Sequence, residues 1–413
     1  MALVRISQIL AGLEFTAPKQ CDVLIFDVAG ASILENLILD GLKYDVFYAR
    51  LERVCAHYKI IWAFILSLRY LKLTKLTTFL GVKQARCLHY ALARVIASKA
   101  KVVITFTDNE PTFCLMSRIY KRAVFMAVQN GARGSNEMGL IRPRYLQHFF
   151  CWGQGDKDFY ESHAQPVQNY YRIGSLRGDQ ARRALRRTNP ELEFDVCLVS
   201  QWTDSFMIGD LEPSARAGIL RINEYFARFV AETGIKACIA LCQEGDDSRP
   251  NQEGELAHYE KSHQGRVTLC RRISELSSYT ALWRSRVALT FCSSLGVEAF
   301  GWGKKVLHVN LTGDPLYDFP HRPGPWRLGN CDYETFKNAL IELLNADQAS
   351  YEQTYAPDMA YFMTYPKDGV PNGTLVRHAI DYVLRAERPI NCLKRLPIRP
   401  LPKAPTQINA DAS

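Results

Sequence analysis

The stretch Leu289 to Val309, LTFCSSLGVEAFGWGKKVLHV, restricts the fold more than any other part of the chain. An apolar, β-rich run ends in Ser293 and Ser294, turns through Gly296 and enters a short helical pattern carrying Glu298. A second apolar run, Lys305 to Val309, follows almost at once. Strand, small-residue turn, helix and strand make one unit of a parallel α/β sheet. The turn joins the carboxyl end of a strand to the amino end of a helix, where free N–H groups and the helix dipole favour a phosphate. Ser293 and Ser294 add hydroxyls, Gly296 removes a Cβ from the approach, and Glu298 is placed to accept both hydroxyls of a ribose. The same pattern also describes a plain βα turn, with an N-capping serine and a glutamate matched to the dipole.

The rest of the chain repeats that rhythm. DVLIFD (Asp22 to Asp27) reads as a buried strand, followed by a helix from Ile33 and a strand from Tyr44 to Glu52. A long helix from Lys59 to Leu80 and another from Gln84 to Ala97 lead to the strand VVITFTD, Val102 to Asp108. Strands at Ala123 to Gln129, His148 to Gly153 and Tyr171 to Ser175 follow, and then the chain turns basic and polar at RGDQARRALRRTNPELE. Strands alternate with helices again from Asp195 onward. This pattern predicts an α/β protein of two doubly wound, Rossmann-like domains facing a cleft. The boundaries are placed at 1–178 and 179–388, and the Pro- and Lys/Arg-rich segment 389–413 reads as a tail without a core.

Length alone suits two domains, and 47% hydrophobic with 23% charged residues is an ordinary globular composition. A net charge of +9 fits anionic substrates or an acidic membrane surface, and no nucleic-acid motif is present. The twelve cysteines contain no CxxC pair, which favours buried thiols in a cytosolic protein over metal fingers. No apolar run approaches the ~20 residues of a membrane span, so the expected location is cytoplasmic, with peripheral contact at the inner membrane face. The helix from Lys59 to Leu80, with Arg69, Lys72 and Lys75, is either packed on the sheet or rests on anionic lipid.

Ligands of open α/β sheets bind beyond the carboxyl ends of the strands. The first domain offers Gly30, Ser32 and Glu35 there, then Asp108, Asn109 and Glu110, then Asn130, Gly131 and Arg133. The second offers Ser200, Gln201 and Asp204, then Ser293, Ser294, Gly296 and Glu298. Asp108 is the candidate catalytic carboxylate, rigid at a strand end, with Glu110 and Glu35 as its partners for proton transfer; capping of the next helix, ahead of Pro111, is the alternative. Asn109, Asn130 and Arg133 are candidates to face an acceptor. His321 and Arg322 lie in DFPHRPGPW, which reads either as a loop folding over a donor phosphate or as a structural proline loop anchored by Trp326. Asp156 and Asp158 have D-x-D spacing but open a helix, so dipole matching is preferred to a metal. No G-x-S-x-G, P-loop or H-E-x-x-H motif occurs.

Taken in order, DVLIFDVAGASILENL, VVITFTDNEPTF, VFMAVQNGARG, GDKDFY with IGSLRGD, VSQW and SSYTALWRSRVALTFCSSLGVEAFGWGKKV resemble a family of bacterial surface-carbohydrate proteins of O-antigen and capsule assembly. That family is similar to retaining β-Kdo glycosyltransferases of GT-B-like architecture. The resemblance implies a nucleotide on the second lobe, at Ser293, Ser294, Gly296 and Glu298, and acceptor and catalytic groups mainly on the first. The family often has threonine at the place of Ser294 and an FGWP-like loop where this chain has DFPHRPGPW. The expectation is a metal-independent glycosyltransferase, without a bound cofactor, that moves a sugar (Kdo from CMP-Kdo) to a surface polysaccharide or lipid-linked glycan. Ser200, Gln201 and His321 complete its nucleotide-sugar set. A sugar-nucleotide epimerase on the same fold and a non-catalytic glycan-assembly module are the alternatives.

Overall fold

The computed structural model describes residues 13–49, 54–70, 82–134, 144–202, 213–244, 251–365 and 370–386. Asp204, the second half of the long predicted helix (71–80) and the tail 389–413 lie outside the described residues.

In chain order the first half comprises β1 (Leu13–Glu14), β2 (Val23–Phe26), α1 (Ala31–Leu37), β3 (Tyr44–Phe47), β4 (Val54–Cys55), α2 (Tyr58–Ser67) and α3 (Val82–Ser98). It continues with β5 (Val102–Thr105), α4 (Pro111–Ile119), β6 (Val124–Val128), β7 (His148–Cys151), α5 (Gln154–Ser162) and β8 (Tyr170–Arg172). Strands β2, β5, β6 and β7 are buried at every residue, as expected of parallel strands covered on both faces. All pairings are parallel, in the order β3-β2-β5-β6-β7-β8. Side chains alternate between two cores. Leu24, Phe26, Val103 and Phe125 meet α3 and α4 on one face, while Val23, Ile25, Ile104 and Met126 meet α1 on the other.

Helix α6 (Leu176–Thr188) links the halves, and the second half repeats the plan. Its elements are β9 (Phe194–Val199), α7 (Pro213–Thr233), β10 (Ala237–Glu244), α8 (Asn251–His263), β11 (Val267–Arg272), α9 (Ser277–Trp283) and β12 (Ser285–Thr290). Then come α10 (Ser294–Gly301), β13 (Lys305–Val309), β14 (Arg327–Leu328), α11 (Tyr333–Asn345), α12 (Gln348–Phe362) and α13 (Asn372–Arg385). The sheet order is β11-β10-β9-β12-β13-β14, again all parallel. The two doubly wound sheets of the sequence-based expectation are therefore present.

Two details differ from that expectation. The strand starting at Tyr44 stops at Phe47 rather than Glu52, and Val54–Cys55 pairs instead with Leu13–Glu14 in a separate small ribbon. Helix α13, which the sequence reading groups with the second domain, buries Val376, Ala379, Ile380 and Val383 in the core of the first sheet. Its apolar stripe fits either sheet, and it is the chain's return path that seats it on the first.

Each sheet has one topological switch point, beside its first strand: between β2 and β5 in the first lobe, and between β9 and β12 in the second. Ligand crevices of open α/β sheets form at such points.

Candidate active-site cleft between the lobes

The sequence places Asp108, Asn130 and Arg133 at neighbouring strand ends, and the structure brings them together. Arg133 Nε donates to Asp108 Oδ2 at 3.1 Å, and its Nη2 donates to Asp108 Oδ1 and Asn130 Oδ1, both at 2.5 Å. Tyr160 OH donates to Asp108 Oδ2 at 2.7 Å and accepts from Arg144 Nη1 at 3.0 Å. Asp108 has no exposed surface. Burial pushes its carboxyl upward, but the charge and hydrogen bonds of Arg133, with help from Tyr160, hold it below the usual carboxylate range. The expectation of a carboxylate presented to the cleft is corrected here: Asp108 faces inward and orients Arg133. Nor does it cap the next helix. Glu110 does, accepting from Phe113 N at 2.6 Å with Pro111 in the first helical turn. Asn109 is half-buried in the turn between them.

Glu35 is not part of this cluster. It lies half-buried beside the Tyr44 hydroxyl and lines a separate pocket of about 930 Å³ along edge strand β3, with Asp45, Tyr90 and Arg94. Its expected role as proton partner of Asp108 is therefore replaced by a place at the sheet's edge.

In the second lobe, Ser293 caps α10 by accepting from Leu295 N at 3.3 Å. Ser294 Oγ reaches the first lobe and accepts from Ala132 N at 2.9 Å. Gly296 is required by packing rather than by a ligand. A Cβ there would stand 2.7 Å from both His308 Cε1 and Thr290 Cγ2, on the strands beneath. Glu298 departs furthest from expectation. It is 4% exposed and accepts from Ser175 Oγ and, at 2.8 Å, from Tyr279 OH. Burial raises its pKa, and the hydroxyls of Ser175 and Tyr279 oppose the rise. Its carboxylate ties α10 to the start of α6 and to α9, so the ribose role predicted for it is not what its position serves.

At the switch point of this lobe, Gln201 bridges two strand ends: its Oε1 accepts from Cys292 N at 2.9 Å. Ser200 Oγ donates to Glu255, a fully buried carboxylate that also accepts from Cys242 N at 3.0 Å. Tyr259 OH donates to Ser200 Oγ at 3.0 Å.

His321 crosses between the lobes. Its Nε2–H donates to the Arg133 carbonyl at 2.6 Å, and its ring stacks on Phe159 with centroids 3.7 Å apart. Burial drives its pKa down to about 4, so the ring is neutral at physiological pH. Around it lies a small cavity of about 40 Å³, lined from one lobe by Arg133, Asp156 and Phe159 and from the other by Val297, His321 and Arg322. Asp156 closes a capping box on α5, accepting from Gly153 N at 3.0 Å and from Gln129 Nε2 at 2.6 Å. Burial raises its pKa to about 6. Asp158 accepts from Gln154 Nε2 at 2.6 Å and Tyr361 OH at 3.0 Å. Among the described residues no group of three or more His, Cys, Asp or Glu is arranged to hold a metal ion.

Sequence reasoning missed Gln129, Tyr160, Arg144, Glu255 and the Ser175–Tyr279 pair. Each is an ordinary residue type in an ordinary pattern, and its role comes from partners remote in sequence. Asp156 reads from the sequence as an acid matched to the dipole of α5, with a D-x-D metal site as the alternative, and the structure gives it a capping box there; its place on the cavity wall depends on the second lobe.

No protein-family model and no curated protein matches the chain. Among solved structures it is similar to a Listeria monocytogenes protein assigned as a UDP-N-acetylglucosamine 2-epimerase, at 12% identity and a TM-score of 0.51, covering 90% of this chain and 98% of that one. It is also similar to the Neisseria meningitidis UDP-GlcNAc 2-epimerase bound to UDP-GlcNAc (13% identity, TM-score 0.48, covering 88% and 99%). A third is the wall teichoic acid polymerase TagF (12% identity, TM-score 0.47, covering 92% of each chain). At such identity the first likeness concerns the fold alone. It agrees with the two parallel six-stranded sheets: the chain has a two-lobed α/β fold of GT-B type.

Proposed function

We propose that the chain is an enzyme acting on a nucleotide-activated sugar in the cleft between its lobes. The observation that carries this reading is the Arg133 guanidinium, held by Asp108 on the cleft wall, one residue along the chain from the hydrogen bond that Ala132 N donates to Ser294 at the N-terminal end of α10. A fixed cation and a helix N-terminus suit the phosphate of a donor, and would stabilise the charge that develops as it leaves. The crevice between β9 and β12, bordered by Ser200, Gln201 and Ser293, is the place for the nucleoside.

The finer reading is glycosyl transfer, with a Kdo residue from CMP-Kdo passing with retention to a polysaccharide or lipid-linked glycan. Retention takes two displacements: a carboxylate attacks the anomeric carbon as its bond to the phosphate oxygen breaks, and the acceptor oxygen then displaces that carboxylate while the acceptor's proton passes to a base. Asp156 is the carboxylate that borders the cavity, and a pKa near 6 suits proton exchange close to neutrality. The second reading, epimerisation of a sugar nucleotide, has in its favour the fold shared with the Listeria protein. Incubation with CMP-Kdo and with UDP-GlcNAc, with and without a glycan acceptor, separates the two. Release of CMP only with acceptor supports transfer, with retention read from the carbon–proton coupling between C1 and the axial H3 of the transferred Kdo. Acceptor-independent isomerisation of UDP-GlcNAc supports the epimerase. Neither reaction with any sugar nucleotide contradicts both.

A further inference from the structure

Helix α2 is apolar on the side that it should keep polar. Ile60 and Ala63 face inward against Cys55, Ala93 and Tyr90, and buried Ser67 meets His89. On the opposite side Tyr58, Ile61, Trp62, Ile65 and Leu66 recur at helical spacing and stand in solvent, with Ile61 60% and Trp62 66% exposed. Leu68 extends the patch beyond the helix end. A contiguous exposed surface of this kind marks an interaction site, whereas scattered exposed apolar residues do not.

Charge identifies what it meets. From Arg53 to Thr107 the sequence holds ten lysines and arginines and no aspartate or glutamate. The remainder of the chain is nearly balanced, with 41 basic against 42 acidic residues, so this segment accounts for the whole positive excess of the protein. Lys59 and Arg69, both exposed, sit at the two ends of the apolar face.

We infer that the outer face of α2 docks the protein on an anionic lipid surface, with the helix lying in the plane of the headgroups. Trp62 and Tyr58 have the amphipathic rings that settle at the lipid–water boundary, and Ile61, Ile65 and Leu66 enter the acyl region between them. Lys59 and Arg69 meet the lipid phosphates. At ten residues α2 is about 15 Å long, enough to lie on a bilayer and too short to cross one. This surface lies on α2, away from the cavity around Arg133 and His321, and its test does not depend on the sugar chemistry.

The test is flotation of the full-length protein with vesicles of equal parts phosphatidylglycerol and phosphatidylcholine, and with phosphatidylcholine alone, at about 50 and about 500 mM salt. Ile61→Ser with Trp62→Ser removes the apolar contact, and Lys59→Glu with Arg69→Glu reverses the charge. All four side chains are exposed, so an unchanged melting temperature shows that the variants are folded. The wild type is expected to float with anionic vesicles at low salt, with binding reduced about tenfold or more on neutral lipid or in either variant. Equal binding to neutral and anionic vesicles, wild-type binding by both folded variants, or no binding at all overturns the inference. So does light scattering that shows a lipid-independent dimer lost in the Ile61/Trp62 variant, since the face would then cover a second copy.

Discussion

Asp108 holds Arg133 in a two-pronged grip, Nε to Oδ2 at 3.1 Å and Nη2 to Oδ1 at 2.5 Å, at the floor of the first lobe. Such a fork fixes both position and orientation of the guanidinium. The main-chain carbonyl of the same arginine receives His321 from the other lobe. One residue thus joins the first sheet's interior, the cleft wall and the opposing domain.

Replacing Asp108 by Asn keeps the shape and removes the charge. An unbalanced Arg133 then remains in a buried setting, and losing one member of a buried pair costs about 3 kcal/mol or more. Urea unfolding of Asp108→Asn is expected to show a loss of that order, together with weaker nucleotide binding. A variant as stable as wild type but inactive would instead return Asp108 to a directly catalytic role.

Glu298→Gln tests the reassignment of that carboxylate. Gln keeps one acceptor oxygen but directs an NH2 group at Ser175 or Tyr279, both of which donate to Glu298. A destabilisation of about 1–3 kcal/mol is expected, with nucleotide affinity within a few-fold of wild type. Stable protein with affinity lost would restore the ribose-binding role.

Acid should loosen the protein through its histidines. Burial depresses the pKa of His321, His148 and His263 to about 4 and of His308 to about 3. A depressed base stabilises the fold above its unfolded pKa of about 6.5 and loses that contribution as pH falls toward its folded value. Each fully buried histidine therefore gives a slope of up to about 1.4 kcal/mol per pH unit between about 6.5 and 4. Asp156 works in the opposite direction. Its pKa is raised to about 6, so its contribution is complete below about 3.8 and is lost as pH rises through 6. Melting temperatures from pH 7.5 to 5 should fall for wild type, less for His321→Phe, which retains the stack on Phe159, and more for Asp156→Asn. Parallel curves for all three would contradict these assignments.

How far the sequence revealed this arrangement depends on the range over which each feature is determined. The alternation of buried strands such as VLIF and VVIT with helices is local, and it led to both sheets. The helix at Ser293 was equally visible, since a capping serine and an apolar run are neighbours in the chain. Facing directions were not. Glu298 turns inward because Ser175, 123 residues away, and Tyr279 meet it there. Asp108 lost its apparent freedom to Arg133 and Tyr160, which stand 25 and 52 residues further on. Gly296 was read as clearing the approach of a phosphate, whereas the atoms that stand against it belong to His308 and Thr290.

The most direct test of the cleft's function is calorimetric titration of CMP, UDP, GDP and dTDP into the full-length protein and into the double variant Asp108→Asn, Arg133→Gln, which removes both charges together. The wild type is expected to bind at least one of these nucleotides at a single site, and the double variant to bind it at least about tenfold more weakly, the loss of one charge-assisted phosphate contact. Absence of binding by any nucleotide, or equal affinity in the two proteins, would contradict the placement of a nucleotide sugar against Arg133.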